Sequence, residues 1–164
     1  MKINIQNLEH DLIEVDGEVG STFPEGEMRE AYPDKQRVHI ILDHFGKDYR
    51  VDVHVKTRGH YVCDRCLTAF TRELAVDQRQ IFHIGEERMG DDPEIISLPV
   101  NSTELDLTPM IRETIWLNHP LKLLCAEDCK GLCHNCGANL NTEQCSCPEN
   151  PGDPRWASLR KLIK

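Results

Sequence analysis

The chain has 164 residues, 39% of them hydrophobic, with 28 acidic against 19 basic side chains and a formal net charge of −9. That length and content suit one domain of ordinary size plus an appendage, and the acidic balance excludes a generic polyanion binder. No apolar run approaches the ~18 to 20 residues a membrane helix requires, and the opening "MKINIQNLEHDLIEVDGEVG" lacks the apolar stretch of an export signal, so the expectation is a cytoplasmic protein with no membrane partner and reduced thiols.

In chain order, "NIQNL" at the start reads as a strand. Residues 14–35, rich in acids, Gly and Pro, read as an extended surface segment without a chemical role. "VHIILDH" and "YRVDVHVK" flank the turn "FGKD". In the second of these, Tyr49, Val51, Val53 and Val55 alternate with Arg50, Asp52, His54 and Lys56, the period of a half-buried strand. Gly59 reads as a break. "HYVC" then enters the pair Cys63 and Cys66 and "AFTRELAV" leaves it, which puts the pair at the tip of a hairpin. A second break covers residues 85–94, and "EIISLPV" adds a strand.

Two short helices are predicted. The first lies near 108–118, with Thr108 as its cap, Pro109 at its first position and Leu107, Ile111 and Ile115 repeating every four residues. The second is C-terminal, capped by Asp153, with Trp156, Leu159 and Ile163 on one face. The expected fold class is α+β, mainly β: an antiparallel sheet or small open barrel with two short helices. A mainly-β domain spans 1–124, and a cysteine-rich, zinc-stapled segment spans 125–164.

That last segment cannot be held by apolar packing. Between Cys125 and Asp153 the only non-cysteine aliphatics are Ala126, Leu132, Ala138 and Leu140. Each large side chain contributes only ~1.5 to 3 kcal/mol on burial, against ~1 to 2 kcal/mol of backbone entropy for every residue fixed. In a reducing compartment the eight cysteines read as two sets of four thiolate ligands for tetrahedral zinc, so the expected cofactor is one or two Zn2+ ions. The best local set is Cys133, Cys136, Cys145 and Cys147, with Gly137 accepting the turn after "CHNC". Cys125 and Cys129 would then meet Cys63 and Cys66. A rival grouping places Cys125, Cys129, Cys133 and Cys136 on one ion, and the sequence leaves both open.

The eight histidines show no H-E-x-x-H or H-x-x-E-H spacing and read as ordinary solvated or half-buried side chains. No catalytic triad order, phosphate-cradling glycine loop or paired catalytic carboxylate is present, and no small-molecule substrate is implied. One window runs against the overall charge: from Lys56 to Arg72, the cations Lys56, Arg58, Arg65 and Arg72 face only Asp64, which makes them the candidate RNA contacts.

"YVCDRCLTAF" after a strand, "LCAEDCKGLCHNCGANLN" followed by "CSC", and the closing "DPRWASLRKLIK" together resemble the YceD family, named for the accumulation of large-subunit ribosomal RNA. The resemblance covers most of the chain. It implies a cytoplasmic factor of bacteria and plastids that supports large-subunit ribosomal RNA. It also implies that Cys63 and Cys66 matter, because members lacking the tail cysteines keep that pair. The leading expectation is therefore a non-enzymatic factor that binds a large-subunit ribosomal RNA precursor or a basic ribosomal protein. The competing class is a thiol redox enzyme using Cys63 and Cys66. Against it, "CDRC" lies between strands and does not open a helix whose N-terminus could lower a thiol pKa.

Overall fold

The computed structural model describes residues 1–6, 12–85 and 95–147. In chain order these form β1 (Lys2–Asn4), β2 (Leu12–Val19), α1 (Glu27–Ala31), β3 (Gln36–Phe45), β4 (Asp48–Val62), β5 (Ala69–Ile84), β6 (Ile95–Leu98), β7 (Glu104–Asp106) and α2 (Thr108–Leu117). The main sheet is open, with strand order β2-β3-β4-β5-β6, and a separate two-stranded sheet pairs β1 with β7. Among the described residues the fold is thus mainly β with two helices, and the sheets do not close into a barrel.

The alternation read in "YRVDVHVK" fixes which way β4 faces. Tyr49, Val51, Val53 and Val55 are buried, and Lys56 on the opposite face is exposed. Val38, Ile40 and Leu42 of β3 lie on the same inner face, and Met110, Ile111 and Ile115 of α2 pack against them with Leu105, Leu107, Ile3 and Ile5. A polar contact inside this core joins three segments: the Tyr32 and Tyr61 hydroxyls lie 2.7 Å apart, and Tyr32 is 3.1 Å from His119 Nδ1.

The structure differs from the sequence reading at several points. Residues 14–35 are not simply an extended segment. β2 occupies Leu12–Val19, pairing along its full length with β3, and α1 follows, with the Phe23 and Tyr32 rings stacked in the core. Ile13, Val15 and Val19 alternate with Glu14, Asp16 and Glu18, a period-two pattern that the surrounding Gly and Pro conceal. The first strand is Lys2–Asn4, earlier than "NIQNL", and lies outside the main sheet.

Gly59 is no break, because β4 runs through it to Val62. A Cβ there would lie 2.0 Å from the Tyr61 hydroxyl, so the tyrosine ring fills the space that a side chain at 59 would take. β6 joins the edge of the sheet parallel to β5, making the sheet mixed. The pairing is set by contacts distant in sequence, which local pattern does not encode. Thr108 does not cap α2. The N-cap is Leu107, and the Asp106 carboxylate accepts the Thr108 N–H at 3.0 Å. The C-terminal helix expected from Asp153 onward lies outside the described residues, as does most of the 85–94 break.

Candidate functional site

β4 and β5 form a long hairpin whose register closes at Val62 opposite Ala69. The six residues between them hold Cys63 and Cys66 at its tip. The Cys63 N–H donates to the Thr68 carbonyl at 3.0 Å, and the Leu67 N–H donates to the Cys63 carbonyl at 2.9 Å. The tail repeats this turn with different residues. The Cys133 N–H donates to the Ala138 carbonyl, and the Gly137 N–H to the Cys133 carbonyl, both at 2.8 Å. Gly137 sits at φ 76° and Leu67 at φ 56°, so the same left-handed corner is made by a glycine in one copy and a leucine in the other.

Of the two groupings the sequence left open, the sulfurs assemble as Cys63, Cys66, Cys125 and Cys129 in one cluster and Cys133, Cys136, Cys145 and Cys147 in the other. Within each cluster all four Sγ atoms lie within 4.8 Å of one another. In the first, Cys63 Sγ is 3.8 Å from Cys129 Sγ and Cys66 Sγ is 3.6 Å from Cys125 Sγ. In the second, Cys145 Sγ lies 3.6 Å from Cys136 and 3.3 Å from Cys133. Four sulfurs placed ~2.3 Å from a tetrahedral centre are separated by about 3.8 Å, whereas a disulfide requires about 2.05 Å. All eight thiols are free, and both clusters could hold a metal ion.

The electrostatics of the sulfurs point the same way. Burial pushes the Cys63 thiol up, but the backbone N–H groups of Cys125, Cys66 and Arg65 outweigh it and hold it at about 6. The N–H groups of Cys136 and Asn135, helped by the Cys145 thiol, bring Cys133 to about 6. The hydroxyl and backbone of Thr68 lower Cys66. Cys125 is pushed up to about 12 by its contact with Cys66, by burial and by its other sulfur neighbours. Contact with Cys145 and Cys136 pushes Cys147 up to about 12. In each cluster one thiolate forms readily and another is resisted, because like charges this close cannot all ionise without a cation among them.

The first cluster joins the hairpin to the segment after α2, across the boundary expected at residue 124. Residues the sequence did not single out hold this junction. The Asp64 N–H donates to the Leu123 carbonyl and its carboxylate accepts the Leu123 N–H, both at 2.7 Å. The Leu132 N–H donates to the Arg65 carbonyl at 3.1 Å, and Asn141 Nδ2 reaches Cys129 Sγ at 3.3 Å. Gly131, at φ 77°, runs so close to Arg65 that a Cβ there would meet its carbonyl at 3.1 Å. Cys63, Cys66 and Cys129 are buried with Phe70, Leu124, Cys125 and Leu132 around them. The second cluster is more open, with Cys136 exposed.

The four candidate RNA-contacting cations separate into two pairs. Arg65 Nη1 donates to the Cys129 carbonyl at 2.8 Å and Arg72 Nη2 to the Leu124 carbonyl at 2.7 Å, so both bind the tail beside the first cluster. Lys56 and Arg58 lie further down β4 on its exposed face, and among the described residues neither has a carboxylate within ion-pair distance. Also among the described residues, no helix is long and apolar enough to cross a membrane.

Comparison with known proteins gives a family match over residues 51–163, to the large ribosomal RNA subunit accumulation protein YceD. The matched region contains all eight cysteines. A relative from Arabidopsis thaliana, the chloroplastic large ribosomal RNA subunit accumulation protein YCED homolog 1, is 26% identical over 160 residues, covering 80% of this chain and 50% of its own length. The homolog of the same name from Zea mays is 44% identical over 57 residues, covering 34% of this chain and 20% of its own length. An uncharacterized protein of Bacillus subtilis, YlbN, is 30% identical over 105 residues, covering 62% of this chain and 59% of its own length. The chain spans about half the length of the Arabidopsis relative. No solved structure matches it.

Proposed function

We propose that this chain, which belongs to the YceD family of large ribosomal RNA subunit accumulation proteins, is a non-enzymatic cytoplasmic factor that supports large-subunit biogenesis by binding precursor ribosomal RNA. The observation that carries this reading is the four-sulfur cluster joining the hairpin tip to the tail inside the matched region. It makes a rigid head at the end of a long hairpin, with the cations Lys56, Arg58, Arg65 and Arg72 grouped on that hairpin. Zn2+ is the ion that suits both clusters, because four thiolates at this spacing satisfy its tetrahedral preference without demanding redox chemistry. The eight named cysteines are its ligands; of the four cations, Lys56 and Arg58 are the phosphate contacts, while Arg65 and Arg72 hold the tail beside the first cluster.

A basic ribosomal protein is the other partner suited to this chain, since the net charge of −9 favours a cationic surface. The redox alternative is disfavoured by the same cluster: Cys63 and Cys66 form half of a set of four sulfurs, in a turn between strands. The test is depletion of the protein followed by profiling of ribosomal particles. Loss of large-subunit ribosomal RNA and of mature large particles is expected, and an unchanged profile overturns the reading. Crosslinking in undepleted cells separates the partners, an adduct with precursor RNA being expected.

A further inference from the structure

The open face of the main sheet carries a row of four side chains that the cysteine chemistry does not use. Asp16 of β2 stands opposite His39 of β3, His39 opposite His54 of β4, and His54 opposite Asp77 of β5. His39 Nδ1 is 2.8 Å from Asp16 Oδ1, and His54 Nδ1 is 2.6 Å from Asp77 Oδ1. An ionised carboxylate only accepts, so in both rings Nδ1 carries the proton and donates. Because Asp16 and Asp77 sit on the two flanking strands, both Nδ1–H groups point outward along the row. In the neutral rings this leaves the lone pair on each Nε2, and among the described residues neither Nε2 has a hydrogen-bond partner. The two ring centroids lie 5.7 Å apart, with 29° between their planes.

We infer that His39 and His54 form a third metal site, separate from the cysteine clusters, that takes a borderline divalent ion such as Zn2+ or Ni2+ through the two Nε2 atoms. A metal-bound imidazole almost always donates its other N–H to a carboxylate or carbonyl, which fixes the tautomer and raises the basicity of the ligating nitrogen. Here that arrangement occurs twice, facing inward from both sides of one row. Imidazole suits such ions, whereas the thiolate sets select softer binding. An Nε2 lone pair is an acceptor, so the neutral pair does not offer donors to an anion.

The pair supplies two ligands and leaves the remaining coordination positions open to a cavity of about 710 Å3 above the row. Arg37 and Lys56 face each other on the next rung and border that cavity. Asp16, Glu18 and Asp77 border it too and offset their charge. Positive charge beside open metal positions suits an anionic fellow ligand, such as a phosphate oxygen.

The test uses the full chain with its cysteine clusters loaded and free metal removed. Further Zn2+ is titrated by calorimetry and followed by 15N NMR of the imidazoles. One additional ion per chain is expected, with the Nε2 signals of His39 and His54 shifting while their Nδ1–H bonds persist. His39→Gln and His54→Gln should each abolish that ion while leaving the cysteine-bound metal in place, and Asp77→Asn should weaken it by about 10- to 100-fold. The inference is overturned if no additional ion binds, if the histidine variants bind it as the unaltered chain does, or if inorganic phosphate without added metal produces the same Nε2 shifts. The NMR readout on the unaltered chain decides the matter even if a variant misfolds.

Discussion

Replacing Cys125 and Cys129 together by serine removes two of the four sulfurs that join the tail to the hairpin and leaves the hairpin turn intact. The consequence follows from what else holds residues 121–132 in place. Among the described residues, five hydrogen bonds tie this segment to the hairpin, linking Asp64 with Leu123 twice, Arg65 with Cys129, Leu132 with Arg65, and Arg72 with Leu124. At ~0.5 to 1.5 kcal/mol each they contribute about 2.5 to 7.5 kcal/mol. Fixing the twelve backbones costs about 12 to 24 kcal/mol at ~1 to 2 per residue. A structural zinc contributes roughly 10 to 16 kcal/mol, which closes the gap. Without it the segment opens, while the core of Ile40, Val53 and Ile111, whose contacts lie elsewhere, remains folded. Elemental analysis should show zinc falling from two ions per chain to one, and limited trypsin digestion should cut rapidly after Lys122 and Lys130. If the variant keeps two ions, or if residues 121–132 resist trypsin as strongly in the exhaustively chelated, reduced chain as in the loaded one, metal coordination is not what orders this segment.

Leu67→Gly should stabilise the chain by about 0.5 to 1 kcal/mol, since the left-handed corner costs a leucine ~1 to 2 kcal/mol and glycine gives back part of that gain in the unfolded state. Thermal unfolding of the metal-loaded protein checks it, and a lower midpoint refutes the strain argument. Gly59→Ala should destabilise by roughly 1 to 3 kcal/mol, because the new methyl group displaces the Tyr61 ring, which is buried against Tyr32, Phe70 and His119 and has nowhere to retreat. An unchanged unfolding midpoint would contradict that. Metal affinity, measured by competition with a chromophoric chelator, should fall as pH falls, since the ligands bind as thiolates and protons compete for them. Above about 6, where Cys63 and Cys133 are already ionised, each ion displaces at most three protons. Below it a fourth proton competes and the dependence steepens. Affinity independent of pH between 5 and 8 would rule out thiolate ligation.

The sequence made the hairpin and the cysteine arithmetic legible because both are local. The alternation from Tyr49 to Lys56 needs eight residues to declare itself, and "CHNCG" closes its own turn through a bond from Gly137 to Cys133. What it hid depends on neighbours far along the chain. Gly59 reads as a break unless Tyr61 is known to fold back across it. β2 looks like loop because Gly17 interrupts it and Gly20 follows it, although its pairing with β3 is continuous. The direction of β6 is fixed by its partner alone. In the same way the histidines look ordinary one by one. The bonds of His39 with Asp16 and of His54 with Asp77 each span 23 residues, and only the register of four strands sets them in one line.

If the chain binds RNA as proposed, the charge of the clusters bears on which cations would meet it. Four thiolates around a divalent ion leave a net charge of about −2. Arg65 and Arg72 donate to tail carbonyls beside the first cluster, so their positive charge is spent largely against that anionic centre, and Asp64 is held by Leu123. Lys56 and Arg58 stand two positions apart on the exposed face of β4, away from that cluster. Glu73 lies opposite Arg58 and Glu18 lines the same groove as Lys56, but among the described residues no carboxylate is within ion-pair distance of either. Lys56→Ala and Arg58→Ala should therefore weaken binding to a large-subunit RNA fragment without loss of zinc, each lowering the slope of log K against log salt by about 0.7 to 0.9. Arg65→Ala and Arg72→Ala should loosen the tail as well, exposing Lys122 and Lys130 to trypsin. Should the Lys56 and Arg58 variants keep full affinity and an unchanged salt slope, the exposed face of β4 is not where this chain meets phosphate.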